Sequence, residues 1–189
     1  MARYGFYVNA DLCIGCSSCG MACKQQNNLQ PGVVWRQLFP LSEPIYPHLE
    51  RAFYSLACNH CANPCCLEDC PAAADTKRAD GIVVHDADAC IGCANCVTSC
   101  PFGAPKMNPV THKAEKCNLC YERIDAGLLP ACVQACPTGA LTLVDLETFD
   151  EPGTTQFPPG FPNEPDVDPS IRFKLPQQPT VVRRKVELV

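Results

Sequence analysis

The chain of 189 residues carries 17 Cys and 19 Pro, a formal charge of −5 and only 7% aromatic residues. A Cys content of about 9% marks either a disulfide scaffold or a metal-rich protein, and so few large apolar side chains leave a core that needs help beyond side-chain burial. Lys and Arg form no stripe that would serve nucleic acid, no apolar run reaches the ~18 residues of a membrane span, and the opening residues lack the basic-then-apolar pattern of a secretory signal, so no export signal is expected.

In chain order, residues 4–8 (Tyr-Gly-Phe-Tyr-Val) read as a short strand. The first cysteine group follows as Cys13, Cys16, Cys19 and Cys23. Residues 25–51, with Trp35 and the turn formers Pro31, Pro40, Pro44 and Pro47, read as a surface insertion with a docking role. A strand over 52–57 leads into the second group, Cys58, Cys61, Cys65, Cys66 and Cys70. A strand over 81–85 precedes the third, Cys90, Cys93, Cys96 and Cys100. The fourth group is Cys117, Cys120, Cys132 and Cys136, with a helix expected over 122–128 in its long spacer and a strand over 140–144 after it. The stretches 96–100 and 132–136 read as single helical turns stopped by Pro101 and Pro137. Residues 145–189 hold eight Pro and no Cys. They are expected to form an extended arm laid on a partner, with Phe157, Phe161, Ile171, Phe173 and Leu175 as apolar anchors.

Tight grouping and an odd count argue against disulfides. The first and third groups are spaced C-x2-C-x2-C-x3-C, the spacing of a two-cluster ferredoxin, in which the fourth Cys crosses to the neighbouring cluster. The other two groups carry their third ligand on a longer loop but keep the closing C-x3-C-P at Pro71 and Pro137. Zinc tetrathiolate sites usually come as two separated C-x2-C knuckles, which suits these three-Cys loops less well. Four groups account for sixteen ligands. The x3 gap to Cys70 selects Cys66 over Cys65, which is left as a small buried residue. His60, between two ligands, is not expected to bind metal, and His48, His85 and His112 read as structural. Lys24, Lys77, Arg78, Lys106, Lys113 and Lys116 lie within eight residues of a ligand Cys and offer counter-charge.

The chain also repeats itself. Asp11-Leu-Cys-Ile-Gly-Cys returns as Asp88-Ala-Cys-Ile-Gly-Cys, and Cys58-Asn-His-Cys as Cys117-Asn-Leu-Cys. The expected fold is therefore α+β: two ferredoxin-like modules of the bacterial 2[4Fe–4S] kind related by a pseudo-twofold axis, built of short strands and helical turns over residues 1–144, with the C-terminal arm 145–189.

Over residues 3–144 the chain resembles the iron–sulfur electron-transfer (B) subunits of the dimethyl sulfoxide reductase family of molybdopterin oxidoreductases. The resemblance rests on Tyr4-Gly-Phe-Tyr-Val, Cys58-Asn-His-Cys-Ala-Asn-Pro, Cys100-Pro-Phe-Gly-Ala-Pro and Cys117-Asn-Leu-Cys-Tyr-Glu-Arg. It implies four [4Fe–4S] clusters and pairs the first group with the fourth and the second with the third. Cys13, Cys16, Cys19 and Cys136 then hold one cluster, and Cys23, Cys117, Cys120 and Cys132 its neighbour. Cys70, Cys90, Cys93 and Cys96 hold a third, and Cys58, Cys61, Cys66 and Cys100 a fourth. By the same resemblance the Cys13 cluster faces a molybdopterin catalytic subunit and the Cys58 cluster faces the electron donor or acceptor. The chain would relay electrons in anaerobic respiration without catalysing a reaction itself. Its other partner would be a membrane anchor subunit or a soluble donor. It would sit in a membrane-associated complex or the cytoplasm, or be exported with a catalytic subunit that carries a Tat signal. A stand-alone polyferredoxin is the alternative within the class, and a zinc-stabilised interaction scaffold the alternative outside it.

Overall fold

The structure, a computed structural model, describes residues 2–40 and 52–176. The second part of the expected insertion, with His48, Pro44 and Pro47, and the end of the expected arm lie outside the described residues.

Strand β1 (Tyr4–Asn9) opens the chain and buries Phe6 and Val8 by simple alternation. Helix α1 (Ser18–Gln26) runs well past the single turn expected between the third and fourth Cys of a group, and it is the longest helix described. It places Cys19 and Cys23, four residues apart, on one buried face. Strand β2 (Gln37–Pro40) pairs antiparallel with β3 (Phe53–Leu56). The single turn α2 (Cys65–Glu68) is followed by the hairpin of β4 (Asp75–Lys77) and β5 (Val83–His85). Next come α3 (Asn95–Ser99), the two-residue pair β6 (Lys106–Met107) and β7 (Ala114–Glu115), α4 (Tyr121–Asp125) and α5 (Ala131–Gln134). Strands β8 (Leu141–Asp145), β9 (Thr154–Thr155) and β10 (Ile171–Lys174) complete the order. Helix α4 is shorter than the expected 122–128, because the chain turns at Gly127, whose φ of 74° is left-handed.

The main sheet runs β8-β1-β10-β9, with β1 antiparallel to β8 and parallel to β10. This corrects the expectation of an arm laid on a partner. The tail folds back on its own chain, and Ile171 and Phe173 are fully buried beside β1. Phe173 meets the Tyr54 and Phe161 rings, and Phe161 stacks on Phe102 at 4.9 Å, which ties the tail to the loop after Cys100. Arg3 fixes the approach to β10, donating to the Asp168 carboxylate at 2.8 Å, the Asp168 carbonyl at 2.9 Å and Ser170 Oγ at 3.1 Å.

Helix α1 packs on α5, and α2 on α3. The main core combines Phe6, Val8, Tyr54, Ile82, Leu119, Leu141, Ile171 and Phe173 with Cys19, Cys23, Cys58, Cys117 and Cys132. A smaller cluster is Ala74, Val83 and Ala114 around Cys66, Cys90 and Cys96. Much of what fills the interior is thus thiol.

Candidate metal centres

All 17 cysteines are free thiols. The cysteine loops are built on backbone that ordinary residues avoid, and they repeat. In Cys13-Ile-Gly-Cys16-Ser17 and Cys90-Ile-Gly-Cys93-Ala94, Gly15 and Gly92 take φ of 71° and 73°, and Ser17 and Ala94 take 63° and 64°. A Cβ on Gly15 would strike the Phe53 ring, and one on Gly92 the His112 carbonyl, so both positions require glycine. His60 and Leu119 match in the same way, at 44° and 56°. These left-handed residues curl each loop so that sulfurs several residues apart converge.

Thiols from different sequence groups lie close enough to perturb one another, in combinations compatible with the four expected sets. Burial raises the Cys13 pKa, and Cys19, Cys136 and Cys16 raise it further by proximity. Cys16 is exposed and lowered by the Ser18 hydroxyl, 3.3 Å from its sulfur. Cys23 is pushed up to about 12 by burial, with Cys132 and Cys120 adding and Arg36 opposing. Cys117 is driven well up by burial and by Cys23 and Cys132, again against Arg36. Burial raises Cys61, Cys66 and Cys100, and Cys58 adds to all three, while Cys100 adds to the first two. Cys96 rises to about 11 through burial, Asp75, Cys90, Cys70 and Cys93. Backbone N–H groups already donate to sulfurs, among them Ala74 to Cys70 at 3.3 Å and Leu119 to Cys117 at 3.4 Å.

Such crowded, buried thiols resist ionisation on their own. A metal core that takes thiolates displaces their protons and resolves the conflict. Among the described residues no group of three His, Cys, Asp or Glu is placed to hold a single metal ion. Thiol-rich donor sets of this kind are what an iron–sulfur cluster takes.

The sets form a row. Cys132 senses Cys19, and Cys117 senses Cys58. The Cys58 and Cys90 sets share α2 and α3: Cys66 and Cys96 lie in these turns, and Cys70 and Cys100 just after them. The order is therefore Cys13, Cys117, Cys58, Cys90. Cys58 and Cys66 are buried, whereas Cys16 and Cys93, at opposite ends of the row, are exposed. Ile14 and Ile91 beside them are 66% and 67% exposed.

Cys65 lies at the margin of the Cys58 set, and its thiol donates to the Ser99 carbonyl at 3.2 Å. His60 is fully buried, and its Nδ1 accepts the Val83 N–H at 3.1 Å. Burial first, then Lys116 and Arg36, keep its pKa well below the usual value, so the ring is neutral.

The lysines near the loops mostly brace carbonyls. Lys24 donates to Gln30 and Val33, Lys77 to Cys61 and Ala62, Lys106 to Gly103, and Lys113 to Ala87. Arg78 instead pairs with Asp80 and Asp125. Lys116 is buried; it donates to Val83 O at 2.6 Å and stands 3.7 Å from the Asp75 carboxylate. The cation that sequence reasoning missed is Arg36, buried among Phe6, Ser55 and the cysteines of two sets. It lies 13 residues past Cys23, so no local spacing marks it.

The 4Fe-4S dicluster domain family matches residues 49–146. The B component of the anaerobic dimethyl sulfoxide reductase of Escherichia coli (strain K12) is 40% identical over 157 residues, 79% of this chain and 75% of that protein. The B component of the tetrathionate reductase of Salmonella typhimurium (strain LT2) is 38% identical over 147 residues, 77% of this chain and 59% of that protein. Protein NrfC of Escherichia coli (strain K12) is 40% identical over 149 residues, 77% of this chain and 66% of that protein.

Proposed function

We propose, from the premise that this chain is a member of the 4Fe-4S dicluster domain family, that it is the electron-transfer subunit of a reductase complex, holding four [4Fe–4S] clusters and serving a molybdopterin catalytic subunit. The observation that carries this reading is the proximity of thiols from distant sequence groups, in combinations compatible with four adjacent sets. Cys13, Cys16, Cys19 and Cys136 would hold the first cluster and Cys23, Cys117, Cys120 and Cys132 the second. Cys58, Cys61, Cys66 and Cys100 would hold the next, and Cys70, Cys90, Cys93 and Cys96 the last. When bound, a cluster supplies one-electron acceptance and donation at a potential set by hydrogen bonds, burial and nearby charge.

The protein's own contribution is to bind, shield and orient. Burial of Cys58, Cys66, Cys117 and Cys132 keeps water from the middle of the row. The exposed ends are contact points: Leu12, Ile14 and Met21 around Cys16, and Ile91 and Val110 near Cys93. We assign the first end to the catalytic subunit and the second to a membrane anchor subunit or a soluble donor. No helix among the described residues is long and apolar enough to cross a membrane. The pairing of α1 with α5 and of α2 with α3, and the matched φ angles of the repeated loops, support two modules related by a pseudo-twofold axis.

The test is purification under anaerobic conditions with its complex. About sixteen iron and sixteen sulfide per chain are expected, with a broad visible absorption and a molybdenum-containing large subunit. An iron count near eight overturns the four-cluster reading. Stoichiometric zinc without colour overturns the class, and a fully loaded chain that has no large partner in its native cells makes it a polyferredoxin.

A further inference from the structure

Arg36 is 1% exposed. Its guanidinium lies 4.1 Å from the centroid of the Phe6 ring, and Nη1 donates to Ser55 O at 3.1 Å and Ser55 Oγ at 3.0 Å. Ser55 Oγ in turn lies 3.3 Å from Cys19 Sγ. Nε and Nη2 are buried and meet no protein oxygen, and the guanidinium draws the Cys132 thiol down through a side-chain hydrogen bond. An arginine stays charged at any working pH, and burying it is strongly unfavourable unless negative charge faces it. The groups that favour its charge are Cys132, Cys117, Cys19 and Cys23, in that order. Three belong to the Cys117 set and one to the Cys13 set, so the guanidinium stands where two sets meet. Lys116, the other buried cation near the sulfurs, differs: Val83 O and the Asp75 carboxylate already occupy its ammonium.

We infer that Arg36 is a shared counter-charge of two neighbouring clusters, its Nε and Nη2 donating to sulfur and holding the reduction potentials of the Cys13 and Cys117 centres up together. This rests on the functional reading above and adds a positioning residue to it. An electron arriving at either centre adds one negative charge beside the guanidinium, which stabilises the reduced form. An arginine serves this better than a lysine, because its planar fork can address two directions at once. It also releases no proton, so it adds no pH dependence to either centre.

The experiment is redox-titrated EPR of the complete complex in wild-type, Arg36→Gln and Arg36→Lys forms. Cys13→Ser and Cys117→Ser variants identify which signals belong to which set. In Arg36→Gln the Cys13 and Cys117 midpoints are expected to fall together, by a tenfold or greater change in the reduction equilibrium, 59 mV per tenfold for one electron. The Cys90 midpoint should stay in place, and Arg36→Lys should recover most of the shift. Full iron content with unmoved midpoints, or an equal fall in every centre, overturns the inference. If both variants lose iron, wild-type complex labelled with [15N]arginine decides. Nitrogen hyperfine coupling to a reduced Cys13 or Cys117 centre supports the hydrogen bond, and its absence overturns it. Iron and sulfide are measured on the same samples. Absence of clusters from the wild type would sink the functional reading, whereas clusters indifferent to Arg36 sink this inference alone.

Discussion

Cys65 and Cys66 are adjacent in sequence and opposite in circumstance. Cys66 is 7% exposed and faces Cys58, Cys100 and the Lys116 ammonium, whereas Cys65 is half-buried and spends its thiol proton on a carbonyl. Cys65→Ala is therefore expected to keep every cluster and to cost about 1 kcal/mol for the lost hydrogen bond. Cys66→Ala should lose or convert one cluster. Iron analysis with EPR checks both, and a full iron count in Cys66→Ala would reverse the assignment. The sequence points the same way, because the x3 gap to Cys70 is a local property. Arg36 was not legible there, because what makes it special is contact with Ser55, Cys19 and Cys132, and a buried cation carries no mark in its flanking residues.

Among elements, the strands at 4–8, 52–57, 81–85 and 140–144 are visible in the sequence as β-branched and aromatic runs, and each overlaps an observed strand. Strand β10 escaped notice because it is four residues long and lies between Pro169 and Pro176, in a stretch whose composition resembles a linker. What makes it a strand is non-local, namely the free edge of β1 and the aromatic socket of Tyr54, Phe102 and Phe161. The length of helix α1 was missed for a related reason. Its apolar face consists largely of two cysteines, which periodicity analysis reads as ligands rather than as a helical stripe. Phe173→Ala removes a fully buried ring from that socket and is expected to cost about 3–5 kcal/mol, measured by denaturant unfolding of the loaded protein. Because the tail also grips the Cys58 loop, the same variant should make Cys58 and Cys61 more reactive toward alkylation than Cys13 and Cys16. Equal reactivity in the two loops would show that the tail does not protect the centre.

For the whole molecule, nine buried cysteines stand where a domain of this size would otherwise hold aliphatic side chains, so the metal carries part of the work of a core. Apoprotein is expected to show little regular structure by far-UV circular dichroism and no cooperative melt; a native-like melt without iron would contradict this. The pairing of groups is tested by Cys13→Ser, Cys23→Ser and Cys136→Ser. Cys13 and Cys136 should perturb one EPR centre and Cys23 its neighbour, although Cys23 is far closer to Cys13 in sequence. If Cys13 and Cys23 perturb the same centre, each group wraps its own cluster and the two-module reading falls. The clamp on the Cys58 loop also bears on how the protein is made. Ser170 donates from its N–H to Asn59 O and from its hydroxyl to His60 O, across 110 residues, and Ala62 N–H bonds Asp168 O at 2.8 Å. All four cysteines of that set precede in the chain the segment that closes their loop. The loop is therefore expected to close only once residues 166–170 have been made. Nascent chains arrested before residue 166 should keep Cys58 and Cys61 open to alkylation even when supplied with clusters, and release of the finished chain should protect them.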